Sequence, residues 1–194
     1  MIHSLTCLDL LDGRQQLYQI QNYNYVWEAQ TVQNENIFLS RYIQRLKYQY
    51  RQNWRETCID SRKLCTYKDF KIEFGREPYI YIIDIGKFRK CMANFRFSGH
   101  NLMIEKGRHY SILLEDRNCV YCEECLEDEF HFVLICPLYS EVRSKYIKEN
   151  YVLNATFDKF CNLMSTSNAN TIRNLAMYLY YAFEVRNDFL QGTE

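Results

Sequence analysis

Apolar residues in the first third of the chain fall into a regular spacing. Phe38, Tyr42, Leu46, Tyr50 and Trp54 recur at every fourth position, with Ile37 and Ile43 beside them, while Arg41, Arg45, Lys47, Arg51 and Arg55 occupy much of the remaining surface. That period predicts an amphipathic helix from Asn36 to Arg55. Residues 1–33 before it are polar and weakly periodic, and are expected to form a loosely packed arm. A second, short helix is expected over Lys63 to Phe74, punctuated by Gly75 and Pro78. The run Tyr79-Ile-Tyr-Ile-Ile fits either a short strand or a buried helical turn, because so short an apolar run carries no decisive period. Lys87 to Phe97 reads as a helix with Phe88, Met92 and Phe95 on one face, stopped by Ser98 and Gly99.

Further on, Pro137 suits the first turn of a helix reaching about Lys148, since its missing N–H is not needed there. Thr156 is placed to cap a helix over Phe157 to Met164. The last and longest helix should run from Asn170 to Leu190, with Ile172, Leu175, Ala176, Leu179, Tyr180, Phe183 and Val185 as its apolar set. The pattern predicts a mainly α protein in which helical segments flank one compact, loop-rich unit.

Composition sharpens this picture. A chain of 194 residues can bury a sizeable core without disulfide staples, and two prolines with six glycines are too few for a loop-rich β-sandwich. Lys+Arg and Asp+Glu both number 24, which argues against a wholly basic nucleic-acid coat. The zero total hides a strong asymmetry. Ser40 to Arg76 holds ten basic and four acidic residues, Gly86 to Tyr110 six basic and one acidic, and Leu113 to Phe130 one basic and seven acidic. No apolar run approaches the ~20 residues of a membrane span, and Met1-Ile-His-Ser-Leu-Thr-Cys lacks a basic segment followed by an apolar one. The nine cysteines are therefore read in an intracellular reducing compartment, nuclear or cytoplasmic, as free thiols or metal ligands. Cys7, Cys58, Cys65, Cys91 and Cys161 are isolated and read as small core residues.

The remaining cysteines cluster. Cys119-Val-Tyr-Cys122, eight residues, His131, four residues and Cys136 give C-x2-C-x8-H-x4-C. Two thiols three positions apart chelate one ion from a tight turn, and a His and a Cys from the next segment close a tetrahedron. Three thiolates and an imidazole suit Zn2+, and four protein ligands leave no open position, so the site is expected to be structural. Cys122-Glu-Glu-Cys125 is also C-x2-C, and spacing alone does not choose between the two pairs.

Around this cluster the sequence resembles a known family. Lys87-Phe-Arg-Lys-Cys-Met-Ala-Asn-Phe-Arg96 and Ser98-Gly-His100-Asn-Leu102-Met-Ile104-Glu105-Lys-Gly107-Arg108 lead into Glu115-Asp-Arg117-Asn-Cys119. Then come Glu127-Asp-Glu129-Phe-His131-Phe, Cys136-Pro137-Leu-Tyr139 and Arg143. This is similar to the region downstream of the polymerase in the reverse transcriptases of LINE-type (non-LTR) retrotransposons. Val26-Trp27, Phe38-Leu39, Arg45-Leu46 through Trp54, and Ile172-Arg-Asn174-Leu175 extend the resemblance over roughly residues 25–190.

The resemblance implies that Cys119, Cys122, His131 and Cys136 are the ligands, with Cys125 in a segment of variable length. It implies a non-catalytic, zinc-binding module that positions template RNA or target DNA during target-primed reverse transcription. It divides the chain into a polar arm (1–33), a basic helical region (34–110), a CCHC zinc knuckle (111–140) and a C-terminal helical region (141–194). Lys87, Arg89, Lys90, Arg96, Lys106 and Arg108 are then the candidate phosphate contacts, since cations neutralise phosphates, and His100 a candidate base-stacking partner. Expected partners are RNA or DNA and a reverse transcriptase domain, with no membrane and no small-molecule substrate. A rival reading is a zinc-stabilised scaffold that packs on a polymerase domain. No Tyr/Phe-x-Asp-Asp turn exists, Asp84 stands alone between isoleucines, and no carboxylate cluster suggests an endonuclease. The chain is therefore expected to be no enzyme, and to be a truncated piece of such an element. The knuckle is expected to have little core of its own and to take much of its folding free energy from zinc, independently of the last helix.

Overall fold

A computed structural model of the chain describes residues 34–192. The polar arm assigned to residues 1–33, with Cys7 and Val26-Trp27, lies outside the described residues. The described part is mainly helical, with no strand and a lone antiparallel bridge between Asn118 and Leu126. No described helix is long and apolar enough to cross a membrane. The chain divides into two compact units at Trp54–Arg55.

Helix α1 (Glu35–Asp60) contains the predicted amphipathic segment and runs beyond it at the C-terminal end. Asn34 Oδ1 accepts from the Ile37 amide at 3.1 Å and so caps its first turn. Of its described side chains only Cys58 is buried, while Ile37, Leu39, Ile43, Leu46, Tyr48 and Tyr50 are exposed.

From Arg55 onward the helices are short until the last. α2 (Tyr67–Phe70) occupies the middle of the segment expected to be helical over 63–74. The ambiguous Tyr79 run is helical, as α3 (Tyr79–Ile82), with Pro78 at its N-cap. α4 (Gly86–Arg96) matches its expected span and buries Phe88, Met92 and Phe95. Its stop is made by Ser98 rather than Gly99: Ser98 takes the left-handed conformation (φ 51), and the Gly99 amide returns to the Asn94 carbonyl at 2.6 Å. α5 (Met103–His109) was not legible in the hydrophobic pattern.

After the cysteine loop a π-helix (His131–Ile135) and a 3-10 turn (Pro137–Tyr139) lead into α6 (Ser140–Tyr146), with Pro137 in the first turn as its chemistry requires. α7 (Glu149–Val152) follows. α8 (Phe157–Met164) begins where Thr156 Oγ1 accepts from the Lys159 amide at 3.3 Å. α9 (Ala169–Gly192) is capped by Asn168, whose Oδ1 accepts from the Thr171 amide at 3.0 Å.

α9 is the axis of this unit and packs against α3, α4 and α6. Ile172, Leu175, Ala176, Tyr178, Leu179 and Ala182 form its buried stripe. Tyr180, Phe183 and Val185, expected in that stripe, lie half-buried at its margin. Tyr178 takes their place, because its hydroxyl has a partner inside: it donates to the Phe132 carbonyl at 2.7 Å. Phe132, Val133 and Leu134 are buried with it, so the knuckle shares the core of α9. The expectation of a knuckle with little core of its own, independent of the last helix, is replaced by this shared packing.

A candidate metal centre and its framework

The metal-ligand candidates sit on two local structures. The first is a tight loop closed at its base by the Asn118–Leu126 bridge. Within it the Cys119 amide donates to the Cys125 carbonyl at 2.6 Å, and the Glu123 amide to the Cys119 carbonyl at 2.8 Å. This turn brings Cys119 and Cys122 to one side and leaves the Cys125 side chain exposed beside the bridge, where its carbonyl closes the loop.

The second is the π-helix. Asp128 Oδ1 accepts from the His131 amide at 2.7 Å and starts it. In an α-helix, residues five apart lie about 140° apart around the axis, facing away from each other. Here the Cys136 amide closes onto the His131 carbonyl at 2.8 Å, an i→i+5 bond. The widened turn therefore sets His131 and Cys136 on the same side.

The result is one cluster: Cys119, Cys122, His131 and Cys136, whose ligand atoms all lie within 4.8 Å of one another. Cys119 Sγ and Cys122 Sγ are each 3.8 Å from Cys136 Sγ. A tetrahedral ion with metal–sulfur bonds of about 2.3 Å sets its sulfurs about 3.8 Å apart. His131 Nε2 is buried with no hydrogen-bond partner, an arrangement that costs free energy unless something outside the chain accepts its lone pair. A hydrogen bond from the Cys136 thiol, helped by the loop amides, pulls the Cys119 thiol below its ordinary range, while Cys136 is pushed up. Of the two C-x2-C pairs open in the sequence, the geometry selects Cys119 with Cys122. The four residues can hold one metal ion, and no fifth ligand joins them among the described residues.

Side chains beyond the cluster hold it in place. Arg143 is buried and donates to the Val133 carbonyl and the Cys136 carbonyl, both at 2.7 Å, bracing the end of the π-helix. Arg117 reaches the Ile104 carbonyl at 3.1 Å and the Ile112 carbonyl at 2.8 Å. Glu127 is bound by Arg186 of α9 through two bonds of 2.9 and 2.8 Å, and accepts from the Met103 amide at 2.7 Å.

Several candidate nucleic-acid contacts belong to this interior framework. Arg96 is buried, pairs with Glu77 at 2.8 Å and donates to the Met164 carbonyl at 2.6 Å, with its guanidinium over the Phe70 ring. The phosphate contact expected there is replaced by a buried ion pair. The His100 side chain is 1% exposed and bonds Glu129 at 3.1 Å, while Thr66 holds the other Glu129 oxygen at 2.9 Å. Base stacking on its ring is replaced by packing against Phe95. Arg108 is half-buried and ion-paired with Glu105. Lys87, Arg89, Lys90 and Lys106 are exposed, and none of them is paired with a carboxylate.

The sequence reading missed Glu127, Arg186 and Asp128. Asp128, three residues before His131, had a legible capping signal; the Glu127–Arg186 pair spans 59 positions and had none. Comparison of the chain with protein-family models, curated proteins and solved structures finds no match.

Proposed function

We propose that the chain is a non-catalytic nucleic-acid-binding module built around a structural Zn2+, of the kind that follows the polymerase in LINE-type retrotransposon reverse transcriptases. Zinc is the ion that three thiolates and an imidazole at tetrahedral spacing suit, and a closed set of four ligands gives it a structural role. The observation that carries the nucleic-acid reading is the surface of α4 and α5. Once the interior cations are set aside, Lys87, Arg89, Lys90 and Lys106 remain exposed, with no carboxylate partner among the described residues. Unpaired cations on a folded frame are what a phosphate backbone neutralises, with release of its counterions. The order of motifs from Lys87 to Arg143 supports the family resemblance.

The test is titration of zinc-loaded protein with single- and double-stranded RNA and DNA across a salt series. Affinity should fall steeply as salt rises, and Arg89→Ala with Lys90→Ala should lower it and flatten the salt slope without changing Tm. Failure of all four nucleic acids to bind at ~50 mM salt would sink the reading.

A scaffold role is favoured by a different observation, the exposed Ile37, Leu39, Ile43 and Leu46 on α1. If the same substitutions leave nucleic-acid affinity intact, and Leu39→Lys abolishes docking on a polymerase domain, the scaffold reading stands in its place.

A further inference from the structure

Between α4 and α9 lies an open cleft of about 520 Å³, on the side of α4 that carries Lys87 and Lys90. We propose that it receives one unpaired nucleotide, its phosphate at the lysine end and its base at the far end. The inference deepens the nucleic-acid reading and rests on it insofar as the nucleotide belongs to a strand.

The cleft is polarised. At one end Lys87 Nζ lies 4.4 Å from the centre of the Tyr180 ring, with Lys90 one turn further along α4. Asn94 of α4 and Asn187 of α9, each seven residues beyond Lys87 and Tyr180, line the cleft together with Asn101. All three are exposed, and none has a side-chain hydrogen bond among the described residues, so each amide has a donor and an acceptor to offer. Seven residues of α4 separate Lys87 from Asn94, about 10 Å along the axis, the reach of a single nucleoside monophosphate.

The walls suit a flat heterocycle. Tyr180 and Phe183 line the α9 side, the first with Lys87 over its ring and the second stacked on Phe132, so they bound the base as apolar walls. His100 lines the floor: its Nε2 is committed to Glu129, which leaves Nδ1 buried and without a partner. Glu184 also lines the cleft, one helical turn beyond Tyr180. Its carboxylate repels a phosphate and accepts from base N–H groups, which orients the nucleotide with its base toward the amides. A volume of this size lies within the roughly 300–1,000 Å³ of small-ligand sites.

Zinc-loaded full-length protein should be titrated by calorimetry with the four ribonucleoside monophosphates, with inorganic phosphate, and with single-stranded RNA and DNA of about a dozen nucleotides. Saturable binding of nucleotides, at least tenfold tighter than inorganic phosphate, is expected. Asn187→Ala and Lys90→Ala should each weaken nucleotide binding about fivefold, the scale of one lost hydrogen bond or phosphate contact. Lys145→Ala, at an exposed cation paired with Glu141 on α6, should change nothing. Equal affinity for phosphate and nucleotide overturns the base pocket, as does unchanged affinity in Asn187→Ala. If strands bind and nucleotides do not, the pocket fails while the nucleic-acid reading survives. If nucleotides bind and strands do not, the pocket stands and the reading of the whole chain falls. Binding of neither removes both.

Discussion

Gly107 shows how much a single atom decides at the residue scale. It lies inside α5, where replacing glycine by alanine ordinarily stabilises a helix by roughly 0.5–1 kcal/mol. Here a Cβ would fall 2.5 Å from Arg117 Cγ and 2.7 Å from its Cδ. The Arg117 guanidinium is held by the Ile104 and Ile112 carbonyls, so the side chain is not free to step aside. Overpacking wins, and Gly107→Ala is expected to cost about 1–3 kcal/mol, read as a lower Tm in a thermal melt. The ligand assignment has an equally local test. Cys136 is fully buried at the junction of the three sulfurs, whereas Cys125 is exposed and contributes a carbonyl. Cys136→Ser should strip most of the metal from the purified protein by elemental analysis, and Cys125→Ser should leave the stoichiometry unchanged.

Among the elements, the decisive contact joins the end of the cysteine loop to α9. Glu127 and Arg186 are 1% and 2% exposed at their side chains, and each is the other's main counter-charge. Burying either alone is far worse than burying neither, because an unpaired charge in the interior has no water to solvate it. Arg186→Met should therefore cost about 3–5 kcal/mol by denaturant unfolding, and the double variant Arg186→Met with Glu127→Met should recover much of it. This pair explains where the sequence stopped being readable. Periodicity located α4 and α9, because each keeps one apolar face over several turns, and the Thr156 cap located α8. That thiols three apart would chelate was readable from spacing, but the choice of Cys119 with Cys122 over Cys122 with Cys125 was not: the family resemblance implied it and the geometry selects it. The charged residues of the surrounding motif were not readable as struts. Arg96 looks like a surface cation from its neighbours, and only a distant carboxylate, Glu77, with the rings of Phe70 and Tyr79, makes it an interior one.

In the unit from Arg55 onward, the candidate metal cluster and the helical core are packed together. Phe132 stacks on Phe183 of α9 with ring centres 4.6 Å apart, and the Tyr178 hydroxyl closes on the Phe132 backbone. Chelation that loosens the π-helix must disturb both contacts. Treatment with a strong chelator is expected to lower the melting temperature of α9 as well as of the loop, seen as loss of far-ultraviolet helical signal in a single shared transition. Hydrogen exchange that leaves the Leu175–Ala182 amides fully protected after metal removal would show instead that the last helix stands alone.

The π turn also divides the chain around the metal into stretches of unequal tolerance to changes in length. Glu123, Glu124 and Cys125 are exposed, and Glu123 already adopts a left-handed backbone (φ 60). A glycine inserted between Glu123 and Glu124 lengthens a bulging tip and should leave metal binding intact. Between His131 and Cys136 the widened turn depends on the residue count, since one residue fewer restores an α-helical path and rotates Cys136 by about 100°. Deletion of Val133 should therefore abolish metal retention. Natural changes in length should accumulate between Cys122 and Cys125 and be purged between His131 and Cys136.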